Sequence, residues 1–354
     1  MSKLIRGIGP LILLIALIAF PKAYPNPAVI SVAFLTLLYA AAATAWNIFS
    51  GFTGYIALGH AAFFGIGSYA MALMCNRLNI PAGYLPFFFI PLVGIVTALF
   101  AIPIGWISLR VRRHTFVVMT IAIFFIMQPM AFNLRSITNG SIGLNLPIPA
   151  WTGEQFNRPF YYVALIILVL AVMTAWWVRN SKYGLGLLAI RDDEDRARGL
   201  GIKTGRSKLI AFVISAFFVG MVGGLHAYYQ ESIFPAFAFD PLFDLAIALM
   251  SFLGGLGTLA GPILGAFILE PTSQYFTFTF SQNGYYLVIY GAFFLLIILL
   301  LPEGIIPTLQ MLLLKRKASL PKQRATTAAL AVTSSDPEPE SAQRMVERGQ
   351  KGRP

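Results

Sequence analysis

The sequence predicts an all-α polytopic membrane protein of about ten transmembrane helices, with both termini on the cytoplasmic side. Three observations carry that prediction: the length of the apolar runs, the placement of the basic residues, and the scarcity of charge between them. Of 354 residues, 57% are hydrophobic and only 11% charged, where a soluble domain carries about a quarter charged residues. The mean hydropathy is +0.74. Apolar runs near 4–20, 28–48, 53–75, 84–109, 114–133, 160–179, 208–228, 242–254, 260–279 and 285–301 approach or exceed the roughly 18 residues that mark a bilayer span. The eighth is short enough for a broken or half helix.

The first run follows MSKLIR, like a signal peptide, but PKAYPNPA after it lacks a small-residue cleavage site and reads as an uncleaved span. Orientation follows from Lys and Arg, which concentrate on the cytoplasmic side. With the N-terminus inside, 22 of the 26 basic residues fall in inside segments, leaving Lys22, Arg77, Arg135 and Arg158 outside. The formal charge of +12 is thus a topology signal and does not mark a nucleic-acid surface. For Arg110, Arg112 and Arg113 lipid headgroups are the default expectation, a partner subunit on the same side the alternative. The domain reading is a transmembrane body over 1–314, containing a cytoplasmic loop at 180–207, and a polar, Pro- and Ser-rich flexible tail over 315–354.

Several chemistries find no support. A single cysteine, Cys75, excludes an intrachain disulfide and paired-cysteine zinc sites, and three scattered histidines lack ligand spacing, so no metal is expected. No phosphate-binding G-x-x-x-x-G-K-[ST] occurs, nor H-E-x-x-H, nor G-x-S-x-G. The chain is read as a non-enzyme with no cofactor. Only two acidic residues, Asp244 and Glu270, fall within predicted spans. Ion-coupled carriers commonly keep ionisable groups in the membrane, so a carrier is the lesser alternative and an external motor the leading one.

The 28-residue loop 180–207 needs a purpose in an otherwise compact chain. Its centre, Leu187 to Leu200, has helical apolar spacing, an acidic run over Asp192–Asp195, and Gly199 and Gly201 as stops. One short amphipathic helix is expected there, as a docking lever.

Glycine is the other signal. GFTGYIALGHAAFFGIGSYA, 51–70, holds five glycines and one histidine without a charge. Small residues let helices approach closely in lipid. On a continuous helix Ala57, Ala61 and Gly65 form one small face, while Thr53, His60 and Gly67 line another. Residues 251–265 repeat the style with Gly254, Gly255, Gly257, Gly261 and Gly265. Third and eighth of ten spans, the two segments suit a five-plus-five repeat with broken helices along a translocation path, although no residue-level alignment links the halves. Path candidates are Asn47, Thr53, Gly59, His60, Gly67, Gln128, Asp244, Gly254 and Gly257. For His60, Gln128 and Asp244 the competing reading is plain helix–helix hydrogen bonding.

SGFTGYIALGHAAFFGIGSYA, GLGLLAIRDDEDRARGLGIKTGRSKLIAFVISAFFVGMVGG and SFLGGLGTLAGPILGAFILE closely resemble segments of the M-type (LivM-like) permeases of branched-chain amino acid ABC importers, over roughly residues 28 to 305. The resemblance implies a bacterial inner-membrane importer with a homologous LivH-like permease, two ATP-binding subunits and a periplasmic substrate-binding protein. Such permeases present a coupling helix with an E-A-A-x-x-x-G pattern to the ATPase. Asp195, Arg196, Ala197 and Gly201 occupy that spacing, only the alanine and glycine being literal. By resemblance, coupling falls to Ile190, Arg191, Asp192, Asp193, Glu194, Asp195, Arg196, Ala197 and Gly201. The stretch Thr138–Leu144 departs from the family's T-G-G pattern, and HTFVVMTIAIFFIMQ is unusually aromatic. Urea, short amides or other amino acids therefore remain alternative cargo.

Overall fold

The computed structural model describes residues 2–151, 154–280, 291–292, 295, 304–309 and 311. Thirteen α-helices follow one another between Ser2 and Phe280: α1 Ser2–Ala23, α2 Pro27–Trp46, α3 His60–Arg77, α4 Leu85–Ser108, α5 Arg113–Asn133, α6 Arg135–Thr138, α7 Glu154–Asn180, α8 Lys182–Asp192, α9 Glu194–Gly199, α10 Thr204–Gln230, α11 Pro235–Ala238, α12 Pro241–Gly254 and α13 Gly261–Phe280. Among the described residues, six stretches are long and apolar enough to cross a membrane: Pro27–Gly51, Leu85–Ser108, Arg113–Asn133, Gln155–Asn180, Thr204–Gln230 and Pro235–Gly254. The apolar part of α1, Ile12–Ala23, is shorter. The expected tenth span, 285–301, and the tail, 315–354, lie outside the described residues apart from 291–292 and 295. The chain divides into two units, Met1–Thr308 and Leu309–Pro354.

Helix α10 is the centre of the first unit and packs along α3, α4 and α2. Its crossing with α3 depends on absent side chains. A Cβ on Gly67 would sit 2.2 Å from the Gly220 carbonyl oxygen, and one on Gly223 2.1 Å from that of Phe64. Backbone thus meets backbone, the close approach that small residues permit where lipid supplies no hydrophobic drive. Ser68 seals the contact by donating to Gly223 O at 3.0 Å. Helix α2 lies between α7 and α13, and α12 closes on α13.

At one end of the bundle a two-residue antiparallel pair, β1 (Leu144–Asn145) with β2 (Ser232–Ile233), ties the α5–α7 connection to the segment after α10. At the opposite end α8 and α9 fold back under α5 and α10.

Two expectations are corrected. The third span is not continuous. Helix α2 runs on through a wider turn, Asn47–Gly51, to Thr53, and residues 54–59 are irregular before α3 begins at His60. Thr53 and Ala57 therefore stand outside α3, and neither predicted small face forms as drawn. Gly54 starts the break with φ +70. Its freed backbone groups are answered locally. Trp46 Nε1 donates to Ala57 O at 2.8 Å, Ala57 N to Ser50 Oγ at 3.2 Å, and Leu58 N to Thr120 Oγ1 at 3.2 Å. Buried backbone outside a helix is tolerated when such partners satisfy its polar groups.

The loop 180–207 likewise holds two helices where one was expected. Asp193 is extended (φ −156, ψ 111) and its Oδ1 accepts from the amides of Asp195 and Arg196, both at 3.0 Å. An aspartate that caps the next helix interrupts the preceding one.

Candidate functional site

Ser181 caps α8, its Oγ accepting from Gly184 N at 3.1 Å. Leu187 and Ile190 point inward from α8 and Ala197 from α9, all buried. Gly201, with φ +85, ends the unit. The outer face carries Asp192, Asp195, Arg196, Arg198 and Gly199, with Leu200 at 81% exposure. The Arg196–Asp193 pair (3.1 Å) lies on that surface, where such pairs add little, and Arg198 reaches from it to the part-buried Glu194 at 3.6 Å.

The inner face is bonded to four other parts of the chain. Arg113, at the start of α5, donates to Ile190 O (2.6 Å) and Arg191 O (2.5 Å). These belong to the last carbonyls of α8, which lack helical partners. Arg113 was expected at headgroups and instead closes the loop. Arg191 Nη1 donates to Gly51 O at 2.9 Å, at the end of the wide turn. The same guanidinium packs on Gly257, where a Cβ would lie 2.1 Å from Nη1. Gly257 is left-handed at φ +77, so glycine suits it twice over.

Glu194 is held from two sides. Tyr55, in the irregular segment, donates its hydroxyl to Oε2, and Lys208 of α10 donates to Oε1 at 2.7 Å. Lys208 also reaches Tyr55 Oη at 3.1 Å and lies over its ring at 4.2 Å. Lys208 is only 3% exposed, so the pair is a satisfied, largely desolvated one. Burial pushes the Glu194 carboxyl up, but the hydrogen bonds from Lys208 and Tyr55 and the Lys208 charge outweigh it and hold the carboxyl below the usual range. Asp193 is lowered too, first by the Arg196 amide. A cleft of about 640 Å³ opens beside this cluster, between Arg110–His114, Asp192–Asp195 and Thr204–Lys208.

The path candidates separate into groups. Asn47 joins the Arg191 cluster, its Nδ2 donating to Thr258 O and its Oδ1 accepting from Gly257 N, each at 2.8 Å. Thr53 closes the preceding turn by donating to Phe49 O at 2.8 Å. Gly59 abuts α5, where a Cβ would meet Thr120 O at 2.6 Å. His60 is fully buried, shares a 2.8 Å hydrogen bond with Ser215 Oγ, and meets Phe63 and Phe212 edge-on. Asp244, 4% exposed, faces the His60 and Ala61 amides at the first turn of α3 without a full hydrogen bond to either. Gly254 abuts the Gly261 carbonyl, and Gly67 is spent on the α10 crossing. Gln128 is half-buried on α5, about 12 Å along the helix from Thr120. Sequence reasoning missed Tyr55, Lys208 and Ser215. A lysine at the mouth of a long apolar run was the available signal, since such a charge needs a partner.

The family model described as branched-chain amino acid transport system / permease component matches residues 28–298. The chain belongs to this permease family. The match spans α2 through α13 and so takes in the interrupted helices and the α8–α9 loop together. The LivM permease of the high-affinity branched-chain amino acid transport system of Escherichia coli (strain K12) is 28% identical over 325 residues, 83% of this chain and 74% of the relative. LivM of Salmonella typhimurium is 29% identical over the same shares. LivH of Escherichia coli (strain K12) is 25% identical over 290 residues, 76% of this chain and 91% of its own. No solved structure matches this permease. It is a multi-pass membrane protein.

Proposed function

We infer that this chain is one of two homologous permease subunits of a binding-protein-dependent importer that moves branched-chain amino acids across the bacterial inner membrane. Its companion is a LivH-like permease. Two ATP-binding subunits drive it from the cytoplasm, and a periplasmic binding protein delivers the cargo. The chain itself performs no covalent chemistry and needs no cofactor. With about ten crossings and both termini inside, the α8–α9 loop lies on the cytoplasmic side, where a motor can reach it.

The observation that carries this reading is the two-faced loop. Its inner face is bonded to the body, while its outer face offers Leu200 with Asp195, Arg196 and Arg198 around it. Leu200 at 81% and Leu185 at 64% exposure are apolar groups left bare on the loop, the kind of surface that a partner's groove covers. The direct test is co-expression with the two ATP-binding subunits and affinity purification through a tag on this chain. Stable co-purification supports the reading, and its absence from a folded preparation counts against it.

An ion-coupled carrier is favoured by one observation, the buried carboxylates of Asp244 and Glu270, both 4% exposed. Both have other uses in view. Asp244 faces a helix N-terminus, where a negative group is stabilised, and Glu270 accepts from Gln274 at 2.8 Å. Urea, short amides and other amino acids remain alternative cargo.

A further inference from the structure

Residues 190 to 194 are the meeting point of four separate parts of the body: α5 through Arg113, the wide turn after α2 through Arg191, the irregular segment 54–59 through Tyr55, and α10 through Lys208. Arg191 also rests on the glycine turn between α12 and α13. We propose that Arg191 and Glu194 do not face the motor at all but are the transmission contacts on the permease side, carrying the loop's movement into the two interrupted segments. The inference rests on reading the chain as a motor-driven permease and names the residues through which the drive reaches the core.

The physical argument concerns which contacts can pull. Close-packed apolar helix faces transmit a push but hold no directional bond against a pull. A guanidinium on a carbonyl and a carboxylate shared by an ammonium and a phenol have fixed geometry and resist separation. Both are attached where the backbone is weakest. Segment 54–59 has no helical ladder of its own and depends on side-chain partners, as does the turn at Gly257. Such stretches yield before continuous helices do.

The linkage also leads somewhere. Five residues beyond Tyr55 lies His60, the start of α3, bonded to Ser215 and faced by Asp244. A displacement of Glu194 therefore reaches a buried polar cluster through a short unladdered tether. On the other branch, Arg191 holds Gly51 and abuts Gly257, and Asn47 ties the same two segments together. Both breaks are thus moved by one loop.

The test uses the complete complex in proteoliposomes, with leucine as the probe, measuring phosphate released per leucine taken up. Arg191→Lys, Glu194→Gln and Tyr55→Phe each remove one tie; Tyr55→Phe keeps the ring that packs on Phe116. In complexes that retain both ATP-binding subunits, the phosphate-to-leucine ratio is expected to rise about tenfold. Exchanging the pair, Glu194→Lys with Lys208→Glu, is expected to bring it back to within about twofold of wild type. A merely structural role predicts transport and ATP hydrolysis falling together at an unchanged ratio in all three variants, and that result overturns the proposal. A wild-type complex that moves leucine without ATP overturns the underlying reading instead, and this inference with it.

Discussion

Asn47 and Thr258, 211 positions apart in sequence, are joined by a 2.8 Å hydrogen bond from the asparagine Nδ2 to the threonine carbonyl, while the asparagine Oδ1 takes the neighbouring Gly257 amide. One buried side chain thereby satisfies a donor and an acceptor of a turn that has no ladder. Asn47→Asp keeps the shape but loses the donor and sets an oxygen against Thr258 O. Leaving buried groups unsatisfied costs about 1–3 kcal/mol each. The expected outcome is a clearly lower temperature at which the detergent-purified protein loses its monodisperse peak, with Asn47→Ala similar.

The α3–α10 crossing makes a sharper demand. Gly67→Ala places a methyl 2.2 Å from the Gly220 carbonyl oxygen, and backbone cannot step aside. Overpacking of this kind costs about 1–3 kcal/mol or more. Little folded protein is expected in fluorescence size-exclusion profiles. Gly186→Ala is the control, since its nearest neighbour would be the Ile202 methyl at 3.8 Å; it should fold as wild type.

Glu194 gives a pH prediction. Its carboxyl is held below the ordinary glutamate value of 4.5. A depressed acid contributes stability above its unfolded value and loses it as pH falls through the folded one. The tie between loop and body should therefore be constant from about pH 8 down to about 5 and weaken only below 4.5. Protease cleavage of the loop, followed against pH, checks this. The acid-side rise in cleavage should be smaller in Glu194→Gln, which lacks the group, the remainder coming from the Asp193 cap, whose carboxyl is also held low.

Much of this architecture was legible because it follows from one-dimensional patterns. Apolar length located α4 and α5 to within a residue at each end, and Gly201 stopped the loop where a left-handed residue was needed. The break at 54–59 was not legible. Nothing in GFTGYIALGHAA says that Trp46, Ser50 and Thr120 will answer its freed backbone groups, because those bonds come from tertiary neighbours. Asp193 was misread for a related reason. In a run of four acids, sequence alone does not tell a solvated charge from a cap, and the cap split the expected helix. Tyr55 and Lys208 escaped notice because each looks ordinary until Glu194 stands between them. The recognisable motifs include the segments that these polar ties join, but the ties themselves are three-dimensional facts.

Leu200 tests the outer face. Leu200→Asp removes an 81% exposed apolar group without touching the body, so folding should be unaffected. Losing a central apolar anchor typically costs an interface about 2 kcal/mol or more, roughly thirtyfold in affinity. Co-purification of the ATP-binding subunits should fall accordingly, read from subunit ratios on a gel.

The central claim is that this permease is a gate without an engine of its own. Leucine uptake into proteoliposomes holding the full complex, with ATP present or absent and with a proton ionophore, tests it most directly. The account predicts uptake that requires ATP and ignores the ionophore. Uptake by this chain alone, without ATP and abolished by collapsing the proton gradient, would contradict it.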